Sequence, residues 1–320
     1  MNPDFEPMTA DFPTPAGRSL MHRCLGCGCG FAPQRRLFTG ALLAASAGVA
    51  FGREGVDVGE QSVLSKLVSA DQIEQAAQQQ YRQMLQQASQ QRALAPVDNG
   101  QLVRLQAISQ RIIPHTYEWN PRARQWKWEV NLIGSKQINA FCMPGGKIAF
   151  YYGILDQLKL NDDEVAMIMG HEAAHALREH AREQMGKRAA TRIGAGVLSA
   201  VLGLGNTGDV LLNMGSQLLS LKFGREDETE ADLVGIDLAA RAGYDPHAGV
   251  TLWQKMATAS KGAPPSFLST HPSGPSRIRD IEANLPKVEP LYDRASKPTQ
   301  RFEPPKSQPR TAPAADRSAQ

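Results

Sequence analysis

Between Asp71 and Leu94 the apolar residues Ile73, Ala77, Tyr81, Met84, Leu85 and Ala88 recur every three to four positions in a Gln- and Ala-rich background. That spacing predicts an amphipathic helix whose glutamines form the solvated face. A second helix is predicted from about Gly100 to Ile113, with Leu102, Leu105, Ile108 and Ile112 on one side and Pro114 as its stop. The period then changes. Trp126, Trp128, Val130 and Leu132 alternate with polar neighbours, and 138–143 with 147–152 read as a hairpin turning at Pro144-Gly145-Gly146.

A long helix follows, predicted from Asp162 to Met185. Asn161 suits its N-cap, Glu164 completes a capping box, and Asp162 and Asp163 suit the positive helix end. Residues 193–221 are apolar and Gly-rich in two pieces, each too short to span a bilayer. They read as a pair of buried helices or as an interfacial or lid hairpin, the latter offering peripheral membrane contact. Further helices are predicted over 225–242, ended by Gly243, and near 246–259 and 275–285. From Pro286 the Pro-, Lys-, Arg- and Ser-rich composition predicts a disordered tail. No internal repeat is present.

Arg35 and Arg36, the apolar run Leu37 to Val49 and the small triplet Ala45-Ser46-Ala47 have the layout of an export signal. The order Arg-Arg-Leu-Phe resembles the twin-arginine type. The expected plan is therefore an export signal over 1–50, a linker and helix over 51–97, one domain over 98–286 and a tail over 287–320. The expected location is the periplasm, or an inner-membrane tether if the signal is retained. A net charge of +3 and 6% aromatic content exclude a nucleic-acid-binding surface. Cys24, Cys27 and Cys29 lack the partner pair that a zinc finger needs, and Cys142 reads as a small strand residue.

The chemistry lies in His171-Glu172-Ala173-Ala174-His175. A spacing of four puts both imidazoles on one helical face, where they can share one metal ion. Glu172 stands beside them, able to accept a proton from water without ligating. A site of this type needs a third protein ligand. Downstream, Glu226, Asp227, Glu228, Glu230 and Asp232 open a helix. Glu228 and Asp232 share a face, so one can bind the metal while the other orients a histidine; Glu226 and Glu230 are expected to point away.

Four segments, NAFCMPGGKIAFYYGIL (139–155), HEAAH, E-x-E-A-D (228–232) and Thr270-His271-Pro272 followed by Arg277, together resemble the gluzincin family. That family includes the CAAX-prenyl proteases, the HtpX membrane protease, the mitochondrial OMA-type stress proteases and the periplasmic BepA-type proteases. The resemblance covers roughly 100–285. It implies an α+β, mainly helical, zincin-like domain with a small, mostly antiparallel sheet beside the HExxH helix. It further implies one Zn2+ per chain held by His171, His175 and Glu228, with Asp232 behind them and Glu172 as the base.

By the same resemblance His271 and Arg277 assist catalysis, His271 at the oxyanion or as a fourth ligand in a latent state. The strand Asn139, Ala140, Phe141 and Cys142 would hold an extended polypeptide substrate. The implied activity is endopeptidase action on unfolded or misassembled exported proteins. Two rivals remain: a non-hydrolytic chaperone using the same cleft, and a di-iron oxidase, for which the required second E-x-x-H is missing.

Overall fold

The rest of the domain packs around α4, Asp162–Leu177. Its sequence is apolar or small on nearly every side, and a helix without a polar face must be enclosed. Asp163 alone among its residues is not buried. The expected capping box forms: Asn161 Oδ1 accepts from the Glu164 amide, and Glu164 Oε2 accepts from the Asn161 amide, both at 2.9 Å. The computed structural model describes residues 53–193, 214–260, 265–272 and 274–306. The expected export signal, Cys24, Cys27, Cys29 and residues 194–213 lie outside the described residues.

In chain order, α1 (Ala70–Gln90) and α2 (Gly100–Ile112) are followed by β1 (Glu129–Ile133), β2 (Ala140–Met143) and β3 (Lys147–Tyr151). Then come α3 (Tyr152–Leu158), α4, α5 (His180–Ile193), α6 (Arg225–Arg241), α7 (Ala248–Ala259), α8 (Ser266–Thr270) and α9 (Pro275–Arg294). The fold is α+β and mainly helical. Its sheet is mixed rather than mostly antiparallel. The β2–β3 hairpin turns through Gly145 and Gly146, both at positive φ. β1 then joins β3 in parallel, Glu129 opposite Lys147, giving the order β1-β3-β2. β3 takes the centre because Ile148, Ala149 and Phe150 are apolar on both faces and all buried. β2 is left as an edge.

Three expectations change. The long helix breaks at Arg178–Glu179, where Glu179 takes φ +60°, so 162–193 is two helices. No Gly or Pro marks this break; Arg178 is instead anchored by Glu230 Oε2 at 2.7 Å and by the Gly59 carbonyl at 3.1 Å. The strand expected from Trp126 begins only at Glu129. The indoles of Trp126 and Trp128 instead donate to Glu74 and to the Ala123 carbonyl.

Residues 287–306 are not a disordered tail. α9 continues through Pro286 and Pro290 to Arg294. Both prolines face solvent, while Ile281, Leu285, Val288 and Leu291 are buried, so packing outweighs local propensity and water can satisfy the freed carbonyls. Beyond α9 the chain returns to the start of α4, where the Phe302 amide donates to Asp162 and Arg301 pairs with Asp163, both at 2.8 Å.

The contact that sets the site is the crossing of α4 and α6. At Gly170 a Cβ would sit 2.9 Å from the Gly235 carbonyl oxygen, and at Gly235 it would sit 3.0 Å from the His171 amide nitrogen. The two backbones touch, one residue from a histidine of the motif. Gly235→Ala gains about 1 kcal/mol of helix propensity but adds a methyl with no room, at about 1–3 kcal/mol. The expected outcome is a lower melting temperature; an unchanged or raised midpoint would contradict the close crossing.

Candidate functional site

α4 and α6 present their functional residues to one another across this crossing. His171 and His175 lie one turn apart on α4, and Glu228, Asp232 and Gly235 occupy one face of α6. His271 follows α8, held in place by the Phe267 ring stacked 4.5 Å from its own. The result is a buried cluster in which one ligand atom each from His171, His175, Glu228 and His271 lies within 4.8 Å of the others. His171 Nε2 is 3.1 Å from His175 Nε2, 3.4 Å from His271 Nδ1 and 3.6 Å from Glu228 Oε2. Glu228 Oε1 is 3.6 Å from His175 Nε2 and 3.0 Å from His271 Nδ1.

These separations fit a metal ion. Tetrahedral bonds of 2.0–2.1 Å place ligand atoms about 3.3 Å apart. The inward nitrogens of three imidazoles and a carboxylate oxygen converge on one point, a donor set suited to a shared cation. Burial, followed by the neighbouring His171 and His271, pushes the His175 pKa well below its ordinary value, which keeps its lone pair free.

Behind the cluster the charges are paired. His171 Nδ1 meets Asp232 Oδ1 at 3.0 Å. Arg277 clamps Asp232 with two hydrogen bonds of 2.7 Å and places Nη1 2.6 Å from Glu228 Oε2. Its guanidinium lies 3.6 Å over the Trp253 ring, whose N–H donates to Asp232 at 3.2 Å. Burial alone would raise the Asp232 pKa, but Arg277 and His171 more than offset it and hold the group at about 2. Arg277, expected to assist catalysis, pairs here with Asp232 and Glu228 and is not among the residues that line the cleft.

The cleft itself, about 180 Å³, contains Glu172 and His271 and runs along Asn139, Ala140, Phe141 and Cys142. Leu218, Leu221 and Phe223 form its other wall. Phe141 pairs with Ala149 and the Tyr151 amide donates to the Asn139 carbonyl at 3.0 Å. Alternation along an antiparallel strand therefore turns the backbone groups of Ala140 and Cys142 away from β3, to the free edge. Glu172 Oε1 is buried without a hydrogen-bond partner, 3.6 Å from His271 Nε2. Burial raises the Glu172 pKa against the pull of His271 and His171, as suits a base. For His271, burial opposes a charge, but Glu172 and Glu228 on either side raise its pKa overall.

Sequence reasoning missed three participants. His180 Nδ1 lies 2.9 Å from His175 Nδ1. Glu230, expected to point away, reaches His180 Nε2 at 3.3 Å and Arg178 at 2.7 Å. Trp253 supports both Asp232 and Arg277. The break at Glu179 turns His180 towards His175, where Glu230 of α6 meets it, and nothing in the local sequence signals it.

The sequence pattern of peptidase family M48 matches residues 102–285, more than half of the chain. The chain belongs to peptidase family M48. It is 40% identical over 166 residues to the mitochondrial metalloendopeptidase OMA1 of Schizosaccharomyces pombe, covering 51% of this chain and 48% of that one. It is 30% identical over 171 residues to the beta-barrel assembly-enhancing protease of Yersinia pestis, covering 50% and 35%. With the metalloprotease LoiP of Escherichia coli it shares 29% over 154 residues, covering 47% and 60%. The chain thus spans about half the length, or less, of most such M48 relatives, and the matched part holds the buried cluster.

One consequence of the paired carboxylates is measurable in metal-stripped protein. The Asp232 pKa is depressed from 3.8 to about 2, so the unfolded state binds more protons between these values. The stability it contributes, about 2 kcal/mol, is complete above about pH 4 and lost as the pH falls towards 2. In Asp232→Asn the decline in stability from pH 4 to 2 should be shallower than in wild type; an identical slope would contradict the pairing.

Proposed function

We propose that this M48 chain is a zinc-dependent endopeptidase with His171, His175 and Glu228 holding the metal and Glu172 acting as general base. The observation that carries the reading is the four-residue cluster, with the partnerless Glu172 Oε1 beside it at the floor of a cleft. A zinc ion bound there supplies Lewis-acid polarisation of the scissile carbonyl and lowers the pKa of its water.

The chain's own groups do the rest. Glu172 accepts the proton of the attacking water and passes it to the leaving amine, and its burial-raised pKa suits both halves of the task. His271, charged more readily between Glu172 and Glu228, is placed to donate to the developing oxyanion. Its Nδ1 also belongs to the cluster, so it can occupy a fourth ligand position in a latent state. Arg277 positions Glu228 and Asp232 rather than touching substrate. The carbonyls of Ala140 and Cys142 on the outer edge of β2 offer main-chain hydrogen bonds to an extended peptide, while the Ala140 amide donates to Asn139 Oδ1 at 3.0 Å and the Cys142 amide faces Glu172.

Such backbone recognition favours unfolded or misassembled polypeptides over one sequence. With the export signal read from Arg35 to Ala47, this supports a periplasmic activity in envelope quality control. Among the described residues no helix is long and apolar enough to cross a membrane. Membrane contact through 193–221 stays a proposal, since Leu218 and Leu221 line the cleft and 194–213 lie outside the described residues.

Zinc content and casein cleavage, measured on wild type and Glu172→Gln, test the reading. One zinc in each is expected, with cleavage reduced about 10²–10⁴-fold in the variant. Zinc without cleavage in the wild type would favour the chaperone reading or a latent enzyme. Cleavage unaffected by Glu172→Gln would remove the base from the mechanism.

A further inference from the structure

The two histidines of the motif are not supported alike. His171 gives its Nδ1 to a carboxylate, Asp232, at 3.0 Å. At His175 the corresponding place is taken by a third imidazole, His180, with the two Nδ1 atoms 2.9 Å apart and both rings buried. We infer that His180 is a positioning residue that fixes the tautomer and ring orientation of His175, relaying to it the carboxylate of Glu230. This rests on the metal-centre reading proposed above.

The argument is one of proton placement. Two ring nitrogens at 2.9 Å make a hydrogen bond only if one carries a proton and the other a lone pair. His175 Nε2 points into the cluster, 3.1 Å from His171 Nε2 and 3.6 Å from Glu228 Oε1. For that atom to be a ligand, the His175 proton must sit on Nδ1, so Nδ1–H donates to His180 Nδ1. The His180 proton then sits on Nε2, which faces Glu230 Oε2 at 3.3 Å. That oxygen also accepts from Arg178 Nε at 2.7 Å, and Arg178 Nη2 donates to the Gly59 carbonyl at 3.1 Å. Every step of the chain has one donor and one acceptor; reversing it would aim the His175 Nε2–H at the metal position and set a His180 Nε2 lone pair against the Glu230 carboxylate.

The backbone shows that this is a built arrangement. In an unbroken helix a residue five positions on lies about 140° around from His175 and cannot face it. The left-handed Glu179, an uncommon conformation for a residue with a side chain, ends α4 and starts α5 so that His180 turns back. The Phe223 ring, stacked 4.0 Å from His175, confines the imidazole but offers no acceptor. Among the described residues His180 supplies one.

The test compares full-length wild type with His180→Phe and His180→Asn. Phe keeps a ring but removes the acceptor; the Asn side chain can restore an acceptor near the Nδ1 position. Zinc affinity by chelator competition should weaken about 10–100-fold in His180→Phe and largely recover in His180→Asn. The visible bands of the cobalt-substituted protein should shift in the first and return in the second, which a merely structural role would not produce. Should His180→Phe fail to fold, His180→Leu, which fills the space without an acceptor, is read the same way. Wild-type affinity and an unchanged cobalt spectrum in His180→Phe or His180→Leu would overturn the inference while leaving the proposed function standing. A wild type that binds no zinc would instead sink the proposed function itself.

Discussion

Four imidazoles, three carboxylates and a guanidinium are buried together around two helices whose backbones touch. Burying such groups is costly unless each meets a complementary partner, because an unpaired charge in a core costs several kcal/mol. The centre of this M48 domain is arranged around that requirement. Arg277 answers both Glu228 and Asp232, Asp232 answers His171, and the stacked Trp253 keeps water from the guanidinium. The inward nitrogens of His171, His175 and His271 and the Glu228 carboxylate converge on one point, and such a donor set could hold a metal ion.

The close approach of α4 and α6 is the structural condition for this. Gly170 and Gly235 allow the backbones to meet within one residue of His171, which brings carboxylates of one helix to the imidazoles of the other. Larger residues at either point would separate the two halves of the site. The capping box at Asn161 and the returning segment through Arg301 and Phe302 fix where α4 begins, and thereby the height of its histidines against the β2 edge.

Much of this was legible in the chain. The H-E-x-x-H spacing, the capping signals of α4, the Gly-Gly hairpin and the shared face of Glu228 and Asp232 are local patterns, and local patterns are readable because a helix or turn imposes them within a few residues. What escaped was set by tertiary context. The left-handed Glu179 has no sequence mark, so His180 and Glu230 were out of reach. The helix through Pro286 and Pro290 contradicts propensity and exists because its other face is covered by α6 and α7. The partners of Arg277, Asp232 and Glu228, were not foreseen, since only packing decides which way a buried guanidinium points.

The central claim is that one metal ion sits between α4 and α6 on ligands from both. The most direct measurement is anomalous diffraction at the zinc absorption edge from crystals of zinc-loaded protein. The account predicts a single peak about 2.0–2.2 Å from His171 Nε2, His175 Nε2 and a Glu228 carboxylate oxygen. No peak there, or a peak that leaves Glu228 out, would contradict it.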